Sequence, residues 1–116
     1  MAQFLLSVWH DEDYEVDFSS PEAQRRVAQV GAFNADLHAA DALVLAGGLL
    51  PASAARVVSP HDAGTEVVVG PYSDSEEHMG GFWIIEADDL DAAIAWAKQG
   101  AEACEGPVEV RPLQGG

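Results

Sequence analysis

Two short acidic segments contain the side chains that could perform chemistry in this chain. His10-Asp11 follows an apolar run near the N-terminus, and Glu77-His78 precedes a second apolar run. An imidazole beside carboxylates can act as a general acid or base, and the same groups can ligate a borderline metal ion. We therefore expect His10, His78 and Glu77 to carry any catalysis, which would be proton transfer on a small organic substrate.

These two segments come together if the apolar runs beside them are antiparallel neighbours in a sheet. The end of the run Gln3–Trp9 then lies next to the start of the run Phe82–Ile85,. His10 and His78 border these two points, so we predict that their side chains meet at the mouth of a pocket. The other residues expected to line this pocket are Trp9, Asp11, Tyr72 and Gly80.

Simpler interpretations of the two histidines stay open at this point. A histidine flanked by acids in a loop is commonly solvated and has no catalytic role. In a site of this kind, the acids should raise the pKa of the imidazole unless burial opposes them. The chain has no H-x-x-x-H or H-E-x-x-H spacing, so we predict no metal site. It also lacks the glycine patterns of phosphate and dinucleotide loops, and no particular cofactor is indicated.

Composition and charge limit the classes of function. The chain has 116 residues, of which 48% are hydrophobic, which is enough for a single domain over residues 1–116,. Its 20 acidic and 5 basic residues give a net charge of −15, which would repel nucleic acids and anionic membranes,. No apolar run approaches the roughly 20 residues of a membrane span. The single cysteine, Cys104, and the lack of a signal-peptide pattern predict a cytoplasmic location.

The first half of the chain predicts a strand, a helix and a second strand. Gln3–Trp9 carries apolar groups on both faces, which predicts a central strand. Ser19-Ser20-Pro21-Glu22 is typical of a helix start, and the helix should run to about Ala40. Leu43–Ala46, which ends at Gly47-Gly48, is a short buried strand.

The second half predicts, in order, a β-hairpin, a polar loop, a central strand, a helix and a final strand. Gly80-Gly81 precedes the central strand, and we expect one of these glycines to have a positive φ or a close backbone neighbour. The predicted elements are Ala54–Val58 with Thr65–Val69, Tyr72–His78, Phe82–Ile85, a helix capped by Asp88 or Asp89 that extends to Ala97, and Val108–Arg111.

This order predicts an α+β fold, a ferredoxin-like sandwich with an inserted β-hairpin and two helices on one face of an antiparallel sheet. The opposite face would present Trp, Leu and Ile side chains that nothing else in the chain covers. A bare apolar face of that size favours a partner, and a second copy packed about a two-fold axis is the simplest one. We therefore predict a homodimer through the helix-free sheet face.

The order of motifs resembles that of the YCII-related proteins. Gly80-Gly81-Phe82 opens the second central strand, Asp88-Asp89-Leu90 opens the second helix, and Val69-Gly70-Pro71-Tyr72 ends the hairpin. The chain is most similar to the subgroup named for an Asp-Gly-Pro-Phe (DGPF) motif, with Val69 in place of the acid and Tyr72 in place of Phe. The resemblance covers nearly the whole chain and implies a ferredoxin-like protomer and a homodimeric α/β barrel.

The resemblance also implies where some relatives would perform catalysis. Some YCII-like proteins are proposed to pair a histidine on the first helix with an aspartate near the second helix. The matching helix position in this sequence is close to Val30, whose side chain cannot transfer a proton. The resemblance therefore does not carry this catalytic pair over to the chain.

Two functions of different classes fit these observations. The first is a dimer with one small-molecule pocket per protomer, with or without acid–base catalysis. The second is a non-catalytic interaction or regulatory module that presents its acidic exterior to another protein. A pocket containing both histidines would favour the first, and a filled core with both histidines in solvent would favour the second. The sequence favours the first, because loops beside a rigid sheet often hold binding sites.

Overall fold

The computed structural model describes residues 2–11 and 19–115 of the chain. Within these ranges the chain forms six strands and two α-helices, with one short 3₁₀ turn at Ala52–Ala54. No helix in these ranges is both long enough and apolar enough to span a membrane. The elements are β1 (Ala2–Asp11), α1 (Pro21–Ala39), β2 (Leu43–Gly48), β3 (Arg56–His61), β4 (Gly64–Val69), β5 (Glu77–Ala87), α2 (Leu90–Cys104) and β6 (Val108–Pro112).

Four strands form one antiparallel sheet in the order β2-β5-β1-β6. β1 and β5 are the central pair, as their two-sided apolar patterns predict. Both helices pack on the same face of this sheet. The predicted α+β architecture with two helices and an antiparallel sheet is therefore confirmed, and its strand order is that of a ferredoxin-like fold.

Each helix begins at a capping side chain that the sequence identifies. The Ser20 hydroxyl accepts a hydrogen bond from the Ala23 amide at 3.1 Å, and Pro21 occupies the first helical turn,. The Asp89 carboxylate accepts from the Ala92 amide at 2.8 Å, so Asp89 rather than Asp88 caps α2. These caps satisfy amide groups that would otherwise lack a partner and fix where each helix leaves the sheet.

The core lies between the sheet and the helices. Leu6, Leu37 and Ile85 are fully buried there. Phe33 of α1 meets Trp83 of β5 edge to face, with ring centroids 5.0 Å apart and an interplanar angle of 85°,. The Trp83 indole Nε1 also donates a hydrogen bond of 2.6 Å to the Asn34 side-chain oxygen. This contact ties α1 to the centre of the sheet at a fixed rotation.

Strands β1 and β5 are longer than the sequence patterns predict. The sequence places His10 after the first strand and His78 in a loop, yet both residues lie within paired strands. The pairing continues because β5 contains a β-bulge, where the register shifts between Val8 and Trp9. The bulge accommodates one extra residue, Gly80, without ending the ladder.

Within residues 2–11 and 19–115, β3 and β4 pair only with each other and form a two-stranded sheet of their own. The turn between them is shorter than predicted, since His61 pairs with Gly64. Gly64 has a φ of +131°, which favours glycine,. Every residue of β4 is exposed. The radius of gyration is 16.0 Å, whereas a compact domain of about this length has one near 13 Å, which fits a hairpin that projects from the body.

The face of the sheet opposite the helices is not covered by another element among the described residues. Leu5, Phe82 and Ile84 alternate with core residues along β1 and β5, so they lie on this helix-free face,. They remain partly exposed, and Leu45 of β2 is 52% exposed beside them. The Trp9 indole covers part of the face by donating a hydrogen bond of 3.0 Å to the Ser7 hydroxyl.

Candidate functional site

A cleft of about 740 Å³ opens on the helix side of the sheet. Its floor is the bulged end of the β1–β5 pair, one wall is the first half of α1, and the other is the end of β2 with the segment that follows it. Its volume falls within the range of roughly 300–1,000 Å³ that is typical of small-molecule sites. Both histidines of the predicted site, His10 and His78, line it.

His10 and His78 are directly opposite each other on β1 and β5. Directly opposed residues in an antiparallel pair have Cβ atoms about 5 Å apart, so these imidazoles can reach the same ligand. The bulge at Gly80 is what brings them to one face. Side chains alternate along a strand, so if β5 ran through Gly80 with regular alternation and no bulge, His78 would lie on the helix-free face,.

Gly80 provides the space in which the His10 imidazole lies. A Cβ atom added to Gly80 would overlap the ring, lying 2.6 Å from its Nε2 atom. Gly81 is constrained differently, because a Cβ there would lie 3.1 Å from the backbone oxygen of Gly47. Neither glycine has a positive φ. The expected close approach of a neighbouring backbone is therefore confirmed at Gly81, and at Gly80 the constraint is a side chain.

The charges around His10 favour its neutral form. Burial lowers the pKa of His10 below the ordinary value of a histidine, and the nearby guanidinium of Arg26 lowers it further,. The Asp11 carboxylate acts in the opposite direction and is the weaker influence. The expected rise in pKa from acidic neighbours, which held only if burial did not oppose it, does not occur at His10, because burial and Arg26 outweigh the carboxylate.

The predicted site residues fall into three groups in the structure. Asp11 and Gly80 line the cleft together with the two histidines. Trp9 and Glu77 instead line a shallower groove of about 650 Å³ beside β6, because alternation places them away from His10 and His78. Tyr72 is 89% exposed and lines neither space. The structure thus brings four of the seven predicted residues together and does not bring the other three.

Helix α1 contributes site residues that the sequence analysis does not identify. Arg26, Val30 and Asn34 recur every four residues and all line the cleft,. Arg26 is half-buried there. Val30, close to the position that the family resemblance matches to a helix histidine, also lines the cleft. The four-residue spacing from Arg26 is visible in the sequence, but which side of α1 faces the site depends on how the helix packs.

The described part of the cleft provides neither an activated thiol nor a set of metal ligands. Cys104 lines it, but burial raises the pKa of its thiol, which keeps the sulfur protonated and a poor nucleophile,. Its Sγ atom lies 3.7 Å from the Gly106 backbone oxygen. Among residues 2–11 and 19–115, no three His, Cys, Asp or Glu side chains are grouped so that they could hold a metal ion.

Fold and cleft together define a small α+β domain of ferredoxin-like type with a ligand-sized space between its first helix and its sheet. The sequence pattern of the YCII-related domain matches residues 3–114. A protein of Rhizobium meliloti (strain 1021), described as uncharacterized, is 31% identical over 113 residues, which span 95% of this chain and 90% of that protein. The chain belongs to the YCII-related domain family.

Proposed function

We propose that the protein binds a small organic molecule in the cleft and transfers a proton to or from it through His10 and His78. The observation that carries this proposal is that His10 and His78 are directly opposite each other on β1 and β5 and both line one ligand-sized cleft. Both side chains are partly buried. Two partly buried histidines that line one cleft support a small-molecule site. Two solvated histidines outside a filled core would have supported an interaction module.

The chemistry follows from the protonation state of His10. An imidazole whose pKa lies below its ordinary value is neutral near pH 7, and one of its ring nitrogens then carries a lone pair rather than a proton,. That lone pair can accept a proton from a C–H or O–H group of the ligand, and the electron pair of the broken bond stays on the ligand. His78, on the same face, can in its protonated form return a proton to another atom of the ligand,.

The test is a thermal-shift screen of metabolites and metal salts against wild type, His10→Ala and His78→Ala. His61→Ala is the matched control, because His61 is exposed on the hairpin and pairs with Glu66 at 2.8 Å, away from the cleft residues. A ligand of the cleft should raise the melting temperature of wild type and His61→Ala, and should raise that of the two site variants less. A ligand that stabilises all four proteins equally binds elsewhere, and if every ligand found does so, the proposal fails.

We propose in addition that the protein is a homodimer joined through the helix-free face, in the manner of a dimeric α/β barrel. Partly exposed Leu5, Phe82 and Ile84 on that face, with Leu45 beside them, support this arrangement. Packing the same apolar patch of two protomers about a two-fold axis would bury it on both. The cleft lies on the other side of the sheet, so each protomer would keep its own site.

The finer classification and the location are proposals as well. The motif Val69-Gly70-Pro71-Tyr72 supports membership of the DGPF subgroup. Gly70 has a φ of +112°, and its amide donates a hydrogen bond of 2.8 Å to the Ala55 backbone oxygen, so a glycine is needed where the motif ends the hairpin,. The single buried thiol of Cys104 supports the cytoplasm as the compartment,.

A second function is supported by the hairpin. Val58, Val67 and Val69 are each more than 60% exposed on it, and an isolated two-stranded hairpin is marginally stable in water. A partner protein that covered these valines would make the protein an interaction module, and its surface charge favours a basic partner,. A cleft that binds nothing in the screen, together with a monomeric protein in sedimentation, would favour this function over the first.

A further inference from the structure

The described residues that line the cleft have a different charge balance from the chain as a whole. The chain carries 20 acidic and 5 basic side chains, yet the described residues that line the cleft include one carboxylate, Asp11, and one guanidinium, Arg26. An anion approaching most of the surface is repelled, whereas at the cleft the formal charges of the described lining cancel when the histidines are neutral. The described lining of the cleft is therefore less acidic than the chain as a whole.

The position of Arg26 differs from that of its neighbour in the sequence. On the exposed surface, the Arg25 Nη2 atom donates to both carboxylate oxygens of Glu105, at 2.9 Å each. Arg26 turns to the other side of α1, lines the cleft and acts electrostatically on His10. The two arginines are therefore neighbours on one helix, but Arg25 contacts Glu105 on the surface and Arg26 lines the cleft.

We infer that the ligand of this cleft is a small organic anion, most simply a carboxylate with an apolar body, whose charged group binds at Arg26 beside His10. This inference rests on the proposed function and specifies the chemical class of its ligand. A guanidinium offers two parallel N–H donors that match the two oxygens of a carboxylate. Val27, Val30 and Leu50 line the same cleft and offer apolar contacts to the rest of the ligand.

An anionic ligand also fits the proton transfer. Removal of a proton from carbon or oxygen leaves the bonding electrons on the ligand, which then carries additional negative charge. Arg26, already placed near the imidazole that accepts the proton, would stabilise that charge,. The same residue would therefore bind the ligand and favour its deprotonated form.

The experiment compares matched probes that differ in charge alone. Benzoate, phenylacetate and hexanoate, each with its primary amide, are titrated into ¹⁵N-labelled wild type, Arg26→Gln, Arg26→Lys and Arg25→Gln, and amide resonances are followed by NMR. The spectra also report whether each variant is folded. We expect carboxylates to shift resonances of cleft residues, and Arg26→Gln to weaken that binding about tenfold or more. Arg26→Lys should weaken it less, and Arg25→Gln should bind as wild type does.

Three results would overturn the inference. Amides that bind the cleft as well as their carboxylates would show that charge is not recognised, while leaving the proposed small-molecule site intact. Equal weakening by Arg25→Gln and Arg26→Gln would show general electrostatic attraction rather than a site. If no carboxylate shifts the amide resonances of cleft residues, the inference is also overturned. If the primary amides shift none of these resonances either, the proposed function loses its support as well.

Discussion

The imidazole of His10 occupies the space that any side chain at position 80 would need. A Cβ atom on Gly80 would overlap the ring, so the absence of a side chain on β5 is a condition for the orientation of a histidine on β1. The same glycine is the extra residue of the bulge that brings His78 onto the face of the sheet where His10 lies,. One residue thus positions both imidazoles.

Substitution of Gly80 tests this relationship. In Gly80→Ala the added methyl group should push the His10 ring out of the cleft, and overpacking should cost about 1–3 kcal/mol of stability. The pKa of His10 should rise toward its ordinary value as the ring becomes more solvated, which an NMR titration of the ring protons measures. Gly48→Ala is the control, since a Cβ there meets nothing within 4 Å. An unchanged His10 titration in Gly80→Ala would contradict the relationship.

The lowered pKa of His10 predicts how stability depends on pH. Because the pKa is lower in the folded protein, the unfolded chain binds the proton first as the pH falls. The stabilisation is present above the ordinary histidine pKa of about 6.5 and is lost as the pH falls through the lowered value. Between about pH 7 and pH 5, wild type should therefore lose more stability than His10→Gln, as measured by denaturant unfolding at each pH.

The groups around His10 provide a control for this pH dependence. Asp11 on β1, Arg26 on α1 and His78 on β5 line the cleft with it. Arg26→Gln removes the positive charge that disfavours the imidazolium, so it should raise the pKa of His10 and reduce the loss of stability on acidification. If His10→Gln and wild type lose stability in parallel, His10 does not titrate as the structure indicates.

The hydrogen bond between Trp83 and Asn34 predicts a stability effect that is separate from the site chemistry. Asn34→Ala leaves the buried indole N–H without its acceptor at 2.6 Å and should cost about 1–3 kcal/mol in the free energy of unfolding,. Gln24→Ala, on the exposed side of the same helix, is the control for the change in helix propensity,. Equal unfolding free energies for the two variants would show that the contact does not anchor α1.

The two faces of the sheet predict different outcomes for two charge substitutions. Trp83 is 4% exposed in the core, so Trp83→Glu should prevent folding,. Leu5 lies on the helix-free face, so Leu5→Glu should leave a folded monomer if that face joins two protomers. Sedimentation equilibrium and circular dichroism distinguish the two results, with Gln24→Glu as a surface control. A wild type that is monomeric at micromolar concentration would contradict the dimer.

Local sequence patterns determined the elements and their order. The β-branched and apolar runs, the caps at Ser20 and Asp89, and the turn glycines each act over a few residues, so their consequences can be predicted without the fold. Two central strands with apolar groups on both faces required a layer of helices, and the order of elements then led to the ferredoxin-like arrangement. The sequence also brought His10 and His78 together, because strand neighbours follow from that order.

Only the tertiary structure decided which side chains share the cleft. Side chains alternate along a strand with a period of two, so the bulge at Gly80 reverses which face each of residues 77–79 of β5 occupies relative to a regular strand. It places His78 in the cleft and Glu77 outside it,. No local pattern shows whether the ladder continues through such a bulge. The role of Arg26 depended likewise on the rotation of α1, which the contacts of Phe33 and Asn34 with Trp83 fix across 49 and more residues of sequence. Propensity acts between neighbours in the chain, whereas the site is made by packing between residues that are distant in it.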